Sequence, residues 1–299
     1  MEIKKLLFVT KFEELGFDAL RSLLSLRKSA LEHVVFVNVI ERDRVAMRRG
    51  KGYRKEEEIR LREAANIRFI DWAENLFEQG MEVGVYIVVG SLVPEVINAT
   101  RKEDADLIVI GRSHKGVLEH LYSGSDVTEL LRRAYTPVLV YKQLSETAIS
   151  VEEPFERPLL AIDWSPGSLR AVEYIKALNK TVQEVHLVHV ADEKELKGPS
   201  AMAIQKTRKE ARNKLDDICE SFEAAGIKAR EHLYIGDPDD EIEKAAKDCQ
   251  ASMIVLGSSA KAAWVEKFLG STPRKIAEEQ PDHVTQPVAI AVSGTDAGQ

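Results

Sequence analysis

Two short motifs with identical spacing contain the residues best suited to bind a ligand. Gly111 is followed thirteen residues later by Gly124-Ser125, and Gly257 is followed at the same distance by Gly270-Ser271. In both cases the first glycine ends an apolar run and the Gly-Ser pair opens a helix-like segment. A helix N-terminus presents free amide groups and the positive end of the helix dipole, and both attract phosphate. Because the pattern occurs twice, phosphate binding is favoured over the alternative that these residues are ordinary caps and turns.

These motifs belong to a longer internal repeat. Residues 90–111 read GSLVPEVINATRKEDADLIVIG, and residues 236–257 read GDPDDEIEKAAKDCQASMIVLG. Both segments run 21 residues from glycine to glycine and then 13 more to the Gly-Ser pair. Since two matched intervals rarely arise together by chance, the sequence predicts a duplicated unit.

Each half alternates short apolar runs with helix-like segments, which predicts a parallel sheet covered by helices on both faces. We expect two tandem doubly wound α/β domains over residues 1–145 and 155–295, each with a five-stranded, mainly parallel, Rossmann-like sheet. The predicted strands are Leu6–Thr10, Val34–Ile40, Val83–Val89, Leu107–Ile110 and Pro137–Tyr141, then Leu159–Asp163, Val185–Val190, Ala229–Ile235, Met253–Leu256 and Pro287–Val292. A polar linker is expected at about 143–157. In such sheets ligands bind at the carboxyl ends of the strands, where the strand order reverses.

The composition excludes several classes of protein. The 299 residues are 44% hydrophobic and 30% charged, as in soluble globular proteins, and no apolar run approaches the roughly 20 residues of a membrane span. The net charge is −7, and neither half has the positive excess that duplex DNA binding usually requires. The first apolar run is too short for the core of a signal peptide. We therefore expect a cytoplasmic protein without a membrane or nucleic-acid partner.

Other kinds of site find less support in the sequence. There is no P-loop, no G-x-G-x-x-G after the first strand of either half and no G-x-S-x-G nucleophile elbow. No set of acid, base and nucleophile emerges, so no catalytic residues are predicted. Cys219 and Cys249 match no metal-binding or redox spacing, and Cys219 is interpreted as a core thiol. The basic segment Arg42–Lys55 is either a solvated loop or a phosphate clamp that folds over the strand ends.

The tandem five-strand pattern and the glycine motif resemble the universal stress protein family, over essentially the whole chain and twice. The ATP-binding branch of that family has Gly-x2-Gly-x9-Gly-Ser/Thr after the fourth strand and an aspartate at the end of the first strand that contacts the nucleoside. The resemblance implies an adenine nucleotide alpha-hydrolase-like fold. It also implies an adenine nucleotide ligand, which could be ATP, ADP or AMP, with or without Mg²⁺.

The second half fits the binding pattern more closely than the first. Asp163 occupies the aspartate position, and Gly257, Gly270 and Ser271 fit the glycine motif, while Ala260 replaces its second glycine. The other site residues that the resemblance suggests in this half are Val188, Val190, Gly236, Ser258 and Thr272.

The first half departs from the pattern at two positions. Lys11 stands where the aspartate is expected, and His114 replaces the second glycine, although Gly116 lies two residues further on. Gly111, Gly124 and Ser125 remain, so phosphate is still a candidate ligand of this half.

The leading interpretation is a stress-linked regulatory protein that binds an adenine nucleotide, with the second half as the better site. The two halves would pack as an intramolecular pseudo-dimer, and two chains could pair further as a homodimer. The alternative is a non-nucleotide-binding universal stress protein that acts as a dimeric scaffold for protein partners. A third class, an ATP-dependent ligase or adenylyltransferase, lacks its usual HxGH-like or SGGxDS-like signature, and weak ATP hydrolysis stays open.

Overall fold

The chain forms two compact units, each of which is described by itself. A computed structural model describes residues 2–12, 15–46, 52–113, 124–143, 153–191, 201–257 and 288–292. One unit contains residues 3–21 and 30–143, and the other contains residues 1–2, 22–29 and 144–299. None of the helices within these described ranges is both long and apolar enough to cross a membrane.

The first of these units is a five-stranded parallel sheet with helices between its strands. Its strands are β1 (Lys5–Val9), β2 (His33–Glu41), β3 (Glu82–Gly90), β4 (Leu107–Ser113) and β5 (Val138–Gln143). Its helices are α1 (Phe17–Leu23, whose last two residues belong to the other unit), α2 (Arg42–Val45), α3 (Lys55–Phe77), α4 (Leu92–Glu103) and α5 (Gly124–Arg133). The strand order is β3-β2-β1-β4-β5, and every pair is parallel.

The second unit repeats this arrangement. Its strands are β6 (Pro158–Ala161), β7 (Glu184–Ala191), β8 (Lys228–Ile235), β9 (Met253–Gly257) and β10 (Val288–Val292). Its helices are α6 (Pro166–Lys176), α7 (Ala201–Ala224) and α8 (Pro238–Asp248). The order β10-β9-β6-β7-β8 is again wholly parallel, which confirms the predicted tandem doubly wound α/β fold.

The central strands form because their side chains can be buried on both faces of the sheet. All nine residues of β2 except the two at its ends are buried, as the largely apolar segment Val34–Ile40 predicts. In the first unit the covering layer contains Phe69 and Trp72 of α3, and Phe69 stacks on Phe36 of β2 at a centroid distance of 5.0 Å. This packing fixes the sheet whose strand ends form the candidate sites.

The structure differs from the sequence expectations at three places. The predicted strand Leu159–Asp163 ends at Ala161, so Asp163 lies beyond the strand in the turn that leads into α6. The basic segment Arg42–Lys55 is not simply a loop, because it contains the short helix α2 and an isolated antiparallel bridge between Ala46 and Tyr53. The linker expected at about 143–157 overlaps the end of β5, which continues to Gln143.

Candidate functional site

Asp163 and Gly257 come together at the carboxyl edge of the second sheet. Ala161 of β6 pairs with Leu256 of β9, so Gly257, the last residue of β9, lies beside Ile162, which directly precedes Asp163. β6 lies between β9 and β7, and the chain leaves β6 toward β7 on one side and reaches β9 on the other. The site therefore lies at the point where the strand order reverses, where open α/β sheets usually bind ligands.

A short turn holds the Asp163 carboxylate at this edge. The backbone N–H of Ser165 donates to Oδ1 of Asp163 at 3.0 Å, and the side chain of Asp163 is exposed. Ser165 is in turn the N-cap of α6, because its Oγ accepts the N–H of Ser168 at 3.2 Å. The turn thus presents a carboxylate to solvent, and a carboxylate accepts hydrogen bonds from hydroxyl and amino groups.

Two contacts of Trp164, the residue between Asp163 and Ser165, and one hydrogen bond to Ile162 hold this turn. Trp164 has a left-handed backbone with φ of 62°, and its ring lies 5.1 Å from that of His189. The Nζ of Lys214 lies 5.3 Å from the centroid of the same indole. Nδ1 of His189 donates to the carbonyl of Ile162 at 2.7 Å. These contacts from β7 and α7 hold the backbone on both sides of Asp163.

Gly257 is required by the packing of a helix. A Cβ atom at this position would lie 2.1 Å from the backbone nitrogen of Ser168 and 2.3 Å from the carbonyl carbon of Gly167. The first turn of α6 therefore occupies the space that any side chain at position 257 would need. The atoms that lie against Gly257 are those of α6.

The other described site residues of the second half lie on β7 and after β8. Val188 is buried, and its carbonyl already accepts the N–H of Ile162 at 2.8 Å, whereas Val190 is half-buried nearer the carboxyl edge. Gly236 lies one strand further away, after β8, and leads into α8, whose N-cap is Asp237. The residues predicted to contact phosphate, Ser258, Ala260, Gly270, Ser271 and Thr272, lie outside the described residues, as does Gly116 of the first half.

The equivalent position in the first unit contains an ion pair. Nζ of Lys11 lies 2.7 Å from Oε1 of Glu41, and the lysine side chain is only 8% exposed. The pair links the end of β1 to the end of β2. Gly111 is buried within β4, opposite Tyr141 of β5. Gly124 and Ser125 are the first described residues of α5.

The two turns after the first strands nevertheless have the same construction. Phe12 is left-handed like Trp164, with φ of 71°, and Arg68 lies 5.0 Å from its ring centroid as Lys214 lies over Trp164. Asn38 donates through Nδ2 to the carbonyl of Thr10 at 2.9 Å, which is the bond that His189 makes to Ile162.

Trp164, His189 and Lys214 were not predicted from the sequence. When the two repeats are aligned, these residues are equivalent to Phe12, Asn38 and Arg68. This alignment could have indicated them. The conserved turn geometry supports duplication, and the change from lysine to aspartate alters the charge that each turn presents.

Comparison with known proteins agrees with this geometry. A model of the universal stress protein family matches residues 2–142 and 154–290. Universal stress protein MJ0577 of Methanocaldococcus jannaschii is 29% identical over 143 residues, covering 41% of this chain and 88% of that protein. Universal stress protein YxiE of Bacillus subtilis is 28% identical over 137 residues, covering 42% of this chain and 93% of that protein.

A solved structure has the same fold over the whole length. A universal stress protein from Archaeoglobus fulgidus superposes with a TM-score of 0.70 at 22% identity, covering 99% of this chain and 98% of that one. Since the family model matches both halves, the chain belongs to the universal stress protein family as a tandem pair of its domains.

Proposed function

We propose that the second repeat binds an adenine nucleotide at the carboxyl edge of β6 and β9, and that the protein acts as a nucleotide-responsive regulator. The observation that carries this proposal is the exposed carboxylate of Asp163 beside Gly257 at the strand-order reversal. In the sequence, Gly270-Ser271 follows thirteen residues after Gly257. Family membership supports the proposal, because one branch of the family uses these positions for ATP.

The donors and acceptors at this edge fit the nucleoside end of such a ligand. Asp163 would accept a hydrogen bond from a ribose hydroxyl or from the amino group of the base. The amides at Gly270-Ser271 and Thr272 would receive the phosphates, as the motif predicts. The protein would then respond to the concentration of adenine nucleotide in the cell. No residue is assigned to hydrolyse the bound nucleotide.

The first repeat is expected to bind the nucleoside poorly. Lys11 replaces the aspartate, and its ammonium group is already paired with Glu41 at 2.7 Å. A ribose hydroxyl would therefore find a buried cation in place of an exposed acceptor. We expect one nucleotide per chain, bound by the second repeat.

The first test is direct binding. Acid extraction of the purified protein followed by anion-exchange chromatography would identify co-purified nucleotide. Calorimetric titration with ATP, ADP and AMP, with and without Mg²⁺, would give the affinity and stoichiometry. A dissociation constant on the order of micromolar, about −8 kcal/mol, supports the proposal. No heat up to about millimolar nucleotide contradicts it.

Two variants locate the site. Asp163→Asn keeps an oxygen for the N–H of Ser165 but removes the charge, so it should weaken binding by roughly 10- to 100-fold without unfolding the turn. Gly270→Val should abolish binding, and Gly124→Val, at the matching position of the first repeat, should change it little. Equal losses from both glycine variants would contradict the assignment to the second repeat.

One observation favours the alternative of a scaffold for protein partners. Helix α3 exposes several large apolar side chains, which often mark protein-binding surfaces. These are Ile59, Ile67, Ile70 and Phe77, with exposures of 45%, 64%, 56% and 58%. If nucleotide binding is absent, light scattering of the wild-type chain and of an Ile67→Lys variant would show whether this face associates with a second copy.

A further inference from the structure

Two histidines and a cysteine of the second unit converge at a place that the nucleotide proposal does not use. His186 lies on β7, His232 lies on β8, and Cys249 follows the last residue of α8. One potential ligand atom from each residue lies within 4.8 Å of the other two. His186 is buried, and the other two residues are half-buried.

The cluster lies away from the carboxyl edge. His186 is the third residue of β7, and α8 runs back toward the amino ends of the strands before Cys249. Val188 pairs with His232, so His186 and His232 lie two residues apart in register and point to the same face of the sheet. Helix α8 covers this face through Ile242, Ala245 and Ala246. The two histidines are therefore held by strands, and Cys249 is held as the C-cap of α8.

Two of the three separations are close to those of ligands around a tetrahedral ion. Nδ1 of His186 and Nε2 of His232 are 3.1 Å apart, and Sγ of Cys249 is 3.7 Å from the same Nε2. Tetrahedral bonds of about 2.0–2.1 Å to nitrogen and 2.3 Å to sulfur require separations of about 3.3 Å and about 3.6 Å. The third separation is at most 4.8 Å, so Cys249 and His186 would need to approach each other by up to about 1.2 Å.

The first repeat shows that the fold does not require these three residues. In the repeat register, Val35, Tyr86 and Glu103 stand where the second repeat has His186, His232 and Cys249. There the Tyr86 hydroxyl donates to the Glu103 carboxylate. The same scaffold is therefore stable with an apolar residue, a phenol and an acid, and only the second repeat contains three nitrogen and sulfur ligands together.

The chemistry of the three groups selects a class of ion. A neutral imidazole has one unprotonated ring nitrogen, so His186 and His232 can each offer one nitrogen ligand to an ion. Imidazole with thiolate suits Zn²⁺ and similar transition metals, whereas Mg²⁺ and Ca²⁺ prefer oxygen ligands. The thiol of Cys249 would lose its proton when the ion binds.

We propose that His186, His232 and Cys249 bind one transition-metal ion of the Zn²⁺ class, with a fourth position left for water or another ligand. In the described part of the second unit, β8 pairs with β7 alone and is therefore an edge strand. His232 and Cys249 are half-buried, so an ion could reach them from solvent. The bound ion would tie β7 and β8 to the end of α8. This proposal is independent of nucleotide binding, since the two sites share no residue.

Titration of the metal-free full-length protein with Co²⁺ tests the proposal. A tetrahedral site with one thiolate should give strong visible bands and a sulfur-to-metal charge-transfer band in the near ultraviolet, saturating at one ion per chain. Zn²⁺ should then displace Co²⁺ and remove the bands. Weak octahedral bands only, or no binding below about 100 µM, would overturn the proposal.

Variants separate the cluster from other ligands in the chain. Cys249→Ser should remove the charge-transfer band and weaken Co²⁺ binding by at least about 100-fold, since loss of supporting partners alone costs about 10- to 100-fold. His232→Tyr introduces the residue that the first repeat has at this position, so it should fold normally and weaken binding to a similar extent. Circular dichroism without metal checks the fold of both variants.

The other cysteine is the matched control. Cys219→Ser replaces a buried thiol of α7 and should leave the Co²⁺ spectrum and affinity unchanged. If Cys219→Ser removes the charge-transfer band, or if Cys249→Ser leaves it in place, the proposed ligand set is wrong.

Discussion

Replacing Gly257 with alanine should destabilise the second unit even when no ligand is present. The added Cβ would lie 2.1 Å from the nitrogen of Ser168, whereas non-bonded atoms prefer separations of about 3.5 Å or more. The helix would therefore have to move by about 1.4 Å. The opposing atoms are backbone, so no side-chain rotation can relieve the contact. Overpacking costs about 1–3 kcal/mol and more when backbone must shift, so we expect a loss of about 3 kcal/mol.

Guanidinium unfolding followed by circular dichroism would measure this loss, and hydrogen exchange in α6 would locate it. Gly16→Ala is the control, because nothing lies within 4 Å of a Cβ at that position. It should be neutral or stabilise the protein by up to about 1 kcal/mol. If Gly257→Ala instead stays within about 0.5 kcal/mol of wild type but loses nucleotide affinity, the packing explanation is wrong and the glycine serves the ligand directly.

Three further perturbations test the packing and charges of the first unit. Phe69→Ala should cost about 3–5 kcal/mol in unfolding free energy, while Phe77→Ala on the same helix should cost little, because the two side chains are 1% and 58% exposed. Glu41→Gln should cost about 1–2 kcal/mol in urea unfolding, since it removes the carboxylate 2.7 Å from the buried ammonium of Lys11. Burial holds the pKa of His33 below its usual value of 6.5, so the folded state favours the neutral ring. The corresponding stability is present above pH 6.5 and is lost as the pH falls below it, and His33→Gln should flatten this part of the stability–pH curve.

The fold could be predicted because its signals are local and repeated. Short runs of four to seven residues, separated by helical segments, identified every strand to within a few residues. Asp163 was placed in a strand because the apolar run continues through Ile162. The turn there depends on the hydrogen bond from Ser165 to the Asp163 carboxylate, and hydrophobic periodicity carries no information about that bond.

The site could be predicted only in part, because its side chains depend on register between distant elements. His186 and His232 are 46 residues apart, and Cys249 follows His232 by 17, so their approach requires the pairing of β7 with β8 and the length of α8. The cysteine spacing alone predicted no metal site. Gly257 was correctly predicted at the end of a strand. The close packing of α6 against it, which explains why the residue is glycine, could not be predicted from the spacing of residues in the sequence.

The contacts of Trp164 give the second repeat its own optical signal. Its indole ring follows Asp163 directly in the chain and lies beside an imidazole and an ammonium group, and indole emission responds strongly to nearby charge. Trp72, by contrast, is surrounded by Phe8, Phe36 and Phe69 in the first unit, an apolar setting that should keep its emission at short wavelength. A ligand that reaches the Asp163 carboxylate would change the first emission and leave the second as an internal reference. In a Trp264→Phe variant, which keeps Trp72 and Trp164 as its two tryptophans, occupancy could then be followed without a label by the ratio of two wavelengths.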